Sequence, residues 1–323
     1  MSKYGEPKIE PRGRSVDYPR CRPDRKKGRQ VLEGSPLRHR AVRYARSSVG
    51  TTGRLTAPLR LQPSFLVVGA QRCGTTSLHR LLARHPNVAP AALHKGVHYF
   101  DVSYSRGPAW YRGHFPLALP ARLRHGGATP ITGESSPYYM FHPLAPARIA
   151  KDLPGIKLIV SLRDPVERAY SAYAHEFARG FETESFPVAL DLEPERLAGE
   201  EEKMIADPRY LSLAHQHQAY ASRGCYADQL ERLLELFPPE SVLVLDSARL
   251  FADPQEQYDR LLDFLGLPSW QLSGSEHANA RPRSAMPAAV RRRLQNYFAP
   301  HDARLTELLG WTPSWTVPAG QML

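Results

Sequence analysis

From residue 62 onward the chain alternates short apolar runs with stretches of helical periodicity. Phe65–Val68, Lys157–Leu162 and Val242–Leu245 are compact apolar runs, the pattern of strands covered on both faces. Helices are predicted over Thr75–Arg84, Pro165–Arg179, Tyr226–Leu236, Pro254–Leu265 and Ala288–Tyr297; in the first, Leu78, Leu81 and Leu82 fall at i, i+3 and i+4. Strands alternating with helices predict an α/β fold, a mostly parallel sheet flanked by helices on both faces. The polar stretch around Glu200-Glu201-Glu202 reads as a surface insertion, and no internal repeat is visible. One domain over residues 61–320 is the expected organisation.

Residues 1–60 break this pattern. They are rich in Arg, Lys, Pro, Gly and Ser and carry 16 Lys and Arg against 5 Asp and Glu, whereas the remaining residues are formally neutral. The whole excess of +11 therefore belongs to this arm. Such a composition buries too little apolar surface to offset its ordering entropy, so the arm is expected to be disordered. Its charge suits weak contact with an anionic surface. No aromatic interleaving or nucleic-acid-binding motif accompanies it, so no specific nucleic-acid partner is expected. The three cysteines, Cys21, Cys73 and Cys225, have no zinc or disulfide spacing. With no apolar leader and no long apolar run, the sequence reads as a cytoplasmic protein.

Gly69-Ala70-Gln71-Arg72-Cys73-Gly74-Thr75-Thr76-Ser77 joins the first strand to the first helix. The unpaired N–H groups of a first helical turn, the positive end of its dipole and three hydroxyls converge there, which makes a phosphate-like site. Gly69 and Gly74 have the spacing of a Walker A loop, but Thr75 and Thr76 follow where that loop requires Lys. A P-loop kinase or NTPase is accordingly the weaker reading.

A second block, Leu162-Arg163-Asp164-Pro165-Val166-Glu167-Arg168-Ala169-Tyr170-Ser171, ends a strand and opens a helix. Asp164 can cap it, Pro165 suits its first position and Gly180 can stop it. Arg163 then stands at the carboxyl edge of the sheet, where open α/β folds bind ligands, with a guanidinium suited to phosphate.

The two blocks together resemble sulfotransferases that use 3′-phosphoadenosine 5′-phosphosulfate (PAPS), in particular the heparan-sulfate N- and 3-O-sulfotransferase type and its bacterial relatives. The resemblance continues through Lys95–Asp101, Gly133–Tyr139, Gly224-Cys225-Tyr226, Val242–Asp246 with Asp253-Pro254, and Arg281-Pro282-Arg283. It implies transfer of a sulfuryl group to a hydroxyl or amine of a small-molecule, carbohydrate or glycolipid acceptor, without a metal. It also implies that Arg72, Cys73, Gly74, Thr75, Thr76 and Ser77 cradle the phosphosulfate. Arg163 and Ser171 would grip the 3′-phosphate, Tyr226 would stand beside the adenine, and Arg281 and Arg283 would close over the nucleotide.

Two departures matter. Arg72 replaces the family's usual Lys, which keeps the charge but changes its geometry. Gly96 stands where the heparan-type enzymes keep a glutamate base, so a catalytically altered nucleotide-binding relative is the alternative reading. His98 is the first candidate base and Glu134 the second, with His94 and His142 behind them.

Overall fold

The computed structural model describes residues 53–91, 95–272 and 285–317. Arg281, Arg283, His94 and the arm up to residue 52 lie outside these. The described residues fall in one compact unit. Residues 53–60 belong to the folded body, not to the arm. Ala57 is buried, Arg60 donates to the Phe115 carbonyl at 2.6 Å, and Arg112 donates to the Arg60 carbonyl.

Four parallel strands make the sheet: β1 (Phe65–Gly69), β2 (Gly133–Ser135), β3 (Lys157–Leu162) and β4 (Val242–Asp246), in the order β2-β1-β3-β4. The register sets Leu66 beside Glu134 and Leu158, and Leu162 beside Asp246. Side-chain alternation divides the strands between two cores. Leu66, Val68, Leu158, Val160 and Leu162 pack with Tyr99, Phe100, Tyr139 and Tyr226 on one face. Phe65, Val67, Ile159 and Leu245 pack with Leu78, Leu82 and Leu261 on the other. The expected α/β architecture is the observed one. β2 has no counterpart among the predicted strands.

The helices that position the site are α1 (Thr75–Leu82), α2 (Ala145–Asp152), α3 (Pro165–Arg179), α4 (Tyr226–Leu234), α5 (Pro254–Leu265) and α6 (Ala288–Leu309). α3 begins and ends as its sequence predicts: Asp164 accepts from Val166 N–H, Pro165 occupies the first turn, and Gly180 closes the helix at φ 80°. α6 runs twelve residues beyond its predicted end. It passes Pro300 because Phe298 and Leu305, on either side, are anchored in the core. The stretch at Glu200 is helical from Glu200 to Ala206, with Glu200 itself buried.

The order of strand addition reverses between β1 and β3: β1 leads to the β2 edge and β3 leads to β4 on the other side. In such sheets the crevice beyond the carboxyl ends of these two strands receives the ligand. The β1–α1 loop and Arg163 flank it.

Candidate functional site

The β1–α1 loop is shaped by its backbone. Gly74 is left-handed at φ 76° and caps α1 without a side-chain bond. The first helical bond runs from Leu78 N–H to Gly74 C=O, so the N–H groups of the preceding turn have no partner within the helix. Among the described residues only two non-glycine positions have positive φ, Arg72 at 72° and His98 at 54°. Each costs on the order of 1 kcal/mol, and such strain gathers at working sites.

Cys73, within the expected cradle, turns its side chain inward. It is fully buried, its N–H bonds the Ala70 carbonyl, and its Sγ lies 3.6 Å from the Tyr226 hydroxyl. Burial pushes its thiol pKa up. Ser161 Oγ holds the Cys73 carbonyl at 2.6 Å, so this residue fixes the loop from beneath and its side chain lines no ligand surface. Gln71 is braced by Arg223, itself buried and stacked over Tyr138 and Phe141 at 4.8 Å.

The two sequence blocks meet at the loop. Arg72 Nε donates to Ser171 Oγ at 3.1 Å. Arg163 leans on Glu167 at 3.6 Å, and Glu167 is also ion-paired to Arg291 of α6 at 2.6 Å. Tyr226 donates to the Arg163 carbonyl at 2.9 Å, which ties α4 to the end of β3. Its hydroxyl touches Cys73 and Arg163, so Tyr226 braces the site from within the core rather than standing open beside it.

A cation unassigned by the sequence reading completes the loop. Lys95 Nζ donates to Thr75 Oγ1 and Thr76 Oγ1, both at 2.9 Å. The signal was present in Lys95-Gly96, but nothing in the spacing brings residue 95 onto the start of α1. Burial and the nearby Arg72 charge pull its pKa down to about 8.

Three residues beyond Lys95 in the same segment is His98, whose Nδ1 is 2.7 Å from Asp101 Oδ2. Its side chain is 43% exposed, whereas that of Asp101 is wholly buried. Burial lowers the imidazole pKa, but the hydrogen bond and charge of Asp101 outweigh it and hold the value above that of ordinary His. Nδ1–H donating to Asp101 leaves Nε2 as the acceptor.

Glu134, expected to face the cleft, does not. It is 0% exposed on β2. Its oxygens accept from Val97 N–H at 3.0 Å, Ser136 Oγ at 2.6 Å and Tyr139 OH at 2.7 Å. Burial leaves its pKa raised despite these bonds. A carboxylate enclosed by three donors serves as a strut, since the strap from Lys95 to His98 hangs on it. His98 N–H completes the strap by donating to Ser136 Oγ at 3.0 Å.

Gly96 is a backbone necessity in this strap. A Cβ there would lie 2.5 Å from the Ser135 carbonyl oxygen, so no glutamate fits without moving β2. His142 is buried with its pKa down near 3, for which burial is the main cause, and its Nδ1 accepts from Leu144 N–H. One group of possible metal donors occurs among the described residues, Cys225, Asp228 and His301, with atoms within 4.8 Å. Asp228 is ion-paired to Arg304 at 2.6 Å. No helix of the described residues is long and apolar enough to cross a membrane.

Comparison with known proteins matches residues 62–281 to the sulfotransferase domain family. Human heparan sulfate glucosamine 3-O-sulfotransferase 6 is 30% identical over 299 residues, covering 83% of this chain and 80% of that protein. Human bifunctional heparan sulfate N-deacetylase/N-sulfotransferase 3 is 30% identical over 286 residues, 78% of this chain and 31% of that one. The crystal structure of a sulfotransferase from Alicyclobacillus acidocaldarius superposes with a TM-score of 0.56 at 29% identity, covering 79% of this chain and 98% of that one. These matches lend no support to a kinase or NTPase reading, nor to a catalytically altered binding relative.

Proposed function

The chain belongs to the sulfotransferase family, and from that premise we propose that it moves a sulfuryl group from PAPS to a hydroxyl or amine of a carbohydrate acceptor. A glucosamine-containing glycan of the heparan type is the acceptor class that its relatives' substrates favour. The observation that carries the reading is the convergence of Arg72, Ser171, Arg163 and the start of α1 at the switch point of the sheet.

The residues present fit the donor. Open N–H groups and the Thr75 and Thr76 hydroxyls offer a cradle for a 5′-phosphosulfate. Arg163 and Ser171 offer a guanidinium and a hydroxyl for the 3′-phosphate. PAPS supplies an activated sulfuryl group whose leaving phosphate is already a good anion. Arg72 neutralises the charge that collects on the bridging oxygen, an electrostatic role of the kind that dominates such transfers. His98 Nε2 takes the acceptor proton, and Asp101 holds the imidazole in the tautomer that allows it. Glu134 sets the height of the strap and touches neither reactant.

Binding and transfer test this together. The full chain should bind 3′-phosphoadenosine 5′-phosphate (PAP) without divalent metal, and His98→Ala should keep that binding while losing transfer. A requirement for Mg²⁺ in nucleotide binding would contradict the reading.

A further inference from the structure

The function above leaves Lys95 without work, yet its placement is among the most constrained in the site. Its carbonyl accepts from Ser135 N–H at 2.7 Å, and its neighbours Gly96 and Val97 are pinned to Ser135 and Glu134. The backbone therefore delivers the ammonium to Thr75 and Thr76 from a separate segment, 20 and 19 residues away in sequence.

The chemistry of those contacts is directional. An ammonium has only protons to give, so each threonine hydroxyl accepts from it and must turn its own proton elsewhere. Both hydroxyls, at the first two positions of α1, thereby keep a proton to donate to a group other than Lys95. The titratable and charged groups facing Lys95 are Arg72 of the loop, Arg80 of α1, His79 of α1 (neutral, its pKa held down near 4 by burial), Glu134 of β2, and His98 of its own segment. Glu134 is the one carboxylate in this set, and its oxygens are already enclosed by three donors. Cations held together in this way favour an incoming anion.

We propose that Lys95 is a second cation of the transfer site, which holds Thr75 and Thr76 as donors toward the 5′-phosphosulfate and opposes the charge left on the departing phosphate oxygen. This rests on the sulfotransferase reading. In the transfer the acceptor oxygen or nitrogen bonds to sulfur as the bond from sulfur to the bridging oxygen breaks. The electron pair stays on the 5′-phosphate, and the acceptor proton passes to His98. The phosphate gains negative charge beside Lys95, so the ammonium favours the product side more than the donor and lowers the barrier between them.

A pH dependence follows. With its pKa at about 8, Lys95 loses its proton just above neutrality in the ligand-free protein. An anion bound beside it raises that value, so affinity is full below pH 8 and falls as pH rises through it.

Calorimetric titration of PAP into the full chain, from about pH 6.5 to about 9.5, tests the assignment with wild type, Lys95→Met and Lys95→Arg. Wild type should lose affinity above pH 8. Lys95→Met should bind roughly 10- to 100-fold more weakly near neutrality and show no further loss. Lys95→Arg stays charged and should bind tightly without the fall. Unchanged affinity and pH dependence in Lys95→Met would overturn the assignment alone. If Lys95→Met does not fold, a Lys95→Arg variant that keeps the wild-type fall above pH 8 overturns it. A wild-type chain that binds no PAP overturns the sulfotransferase reading and this inference with it.

Discussion

Arg72 and Ser171, 99 residues apart in sequence, are joined by a 3.1 Å hydrogen bond from Nε to Oγ. The loop cation assigned to the leaving group thus rests on the serine assigned to the 3′-phosphate. Because Ser171 Oγ accepts from Arg72, its own proton is left to donate to a 3′-phosphate oxygen. Ser171→Ala should weaken PAP about tenfold while leaving 5′-AMP, which lacks the 3′-phosphate, unaffected. Arg163→Ala should weaken PAP roughly 10- to 100-fold with the same indifference to 5′-AMP. Equal losses for the two nucleotides would remove the 3′-phosphate from these residues.

The His98–Asp101 pair predicts how turnover depends on acidity. A base works when deprotonated, and Asp101 holds the imidazole pKa above its ordinary value. Turnover should therefore rise with pH and reach half its plateau above the usual histidine midpoint. Asp101→Asn removes the charge that favours the imidazolium, so the midpoint should move to lower pH and the plateau should drop. A rate profile indifferent to this substitution would point to another base.

Glu134 gives a prediction about stability. Glu134→Ala would leave Val97 N–H, Ser136 and Tyr139 without their acceptor, at a cost of about 3 kcal/mol in denaturant unfolding. Because burial holds its folded pKa above the unfolded one, its contribution is complete below the unfolded value and is lost as pH rises through the folded value. The stability of wild type relative to Glu134→Gln should accordingly fall across that window. A constant difference would mean that the carboxyl group titrates alike in both states.

Gly96 separates geometry from chemistry. Placing at residue 96 the glutamate that the sequence resemblance implies puts a Cβ against the Ser135 carbonyl. Gly96→Glu should therefore lose roughly 2 kcal/mol of stability and also lose transfer activity. A gain in turnover would show that the strap can move and that glutamate still serves as base.

Much of this was legible in the sequence because it rests on local signals. α3 carries its own cap, its proline and its stop glycine, and both of its ends coincide with those predicted. β1, β3 and β4 are apolar runs that show themselves directly. β2 is Gly-Glu-Ser, three residues with no apolar run, and is a strand because β1 pairs with it. Pro300 suggests an end to α6, and only tertiary anchoring by Phe298 and Leu305 overrides it. In the site, Arg72, Thr75 and Arg163 follow from the loop and the strand end. The inward side chain of Cys73 and the burial of Glu134, which was expected to face the cleft, are not legible because the rotation of a loop residue and the burial of a short strand are properties of packing. Lys95 was missed for the same reason, since its ammonium reaches α1 across space.

Sulfuryl transfer itself is measured by following radiolabelled sulfate from PAPS to a glucosamine-containing oligosaccharide in the presence of a metal chelator. Labelled oligosaccharide should accumulate with wild type and fall roughly 100-fold or more with His98→Ala, whose affinity for PAP should stay unchanged. Tight PAP binding by the wild-type chain with no labelled product from any hydroxyl or amine acceptor would contradict it.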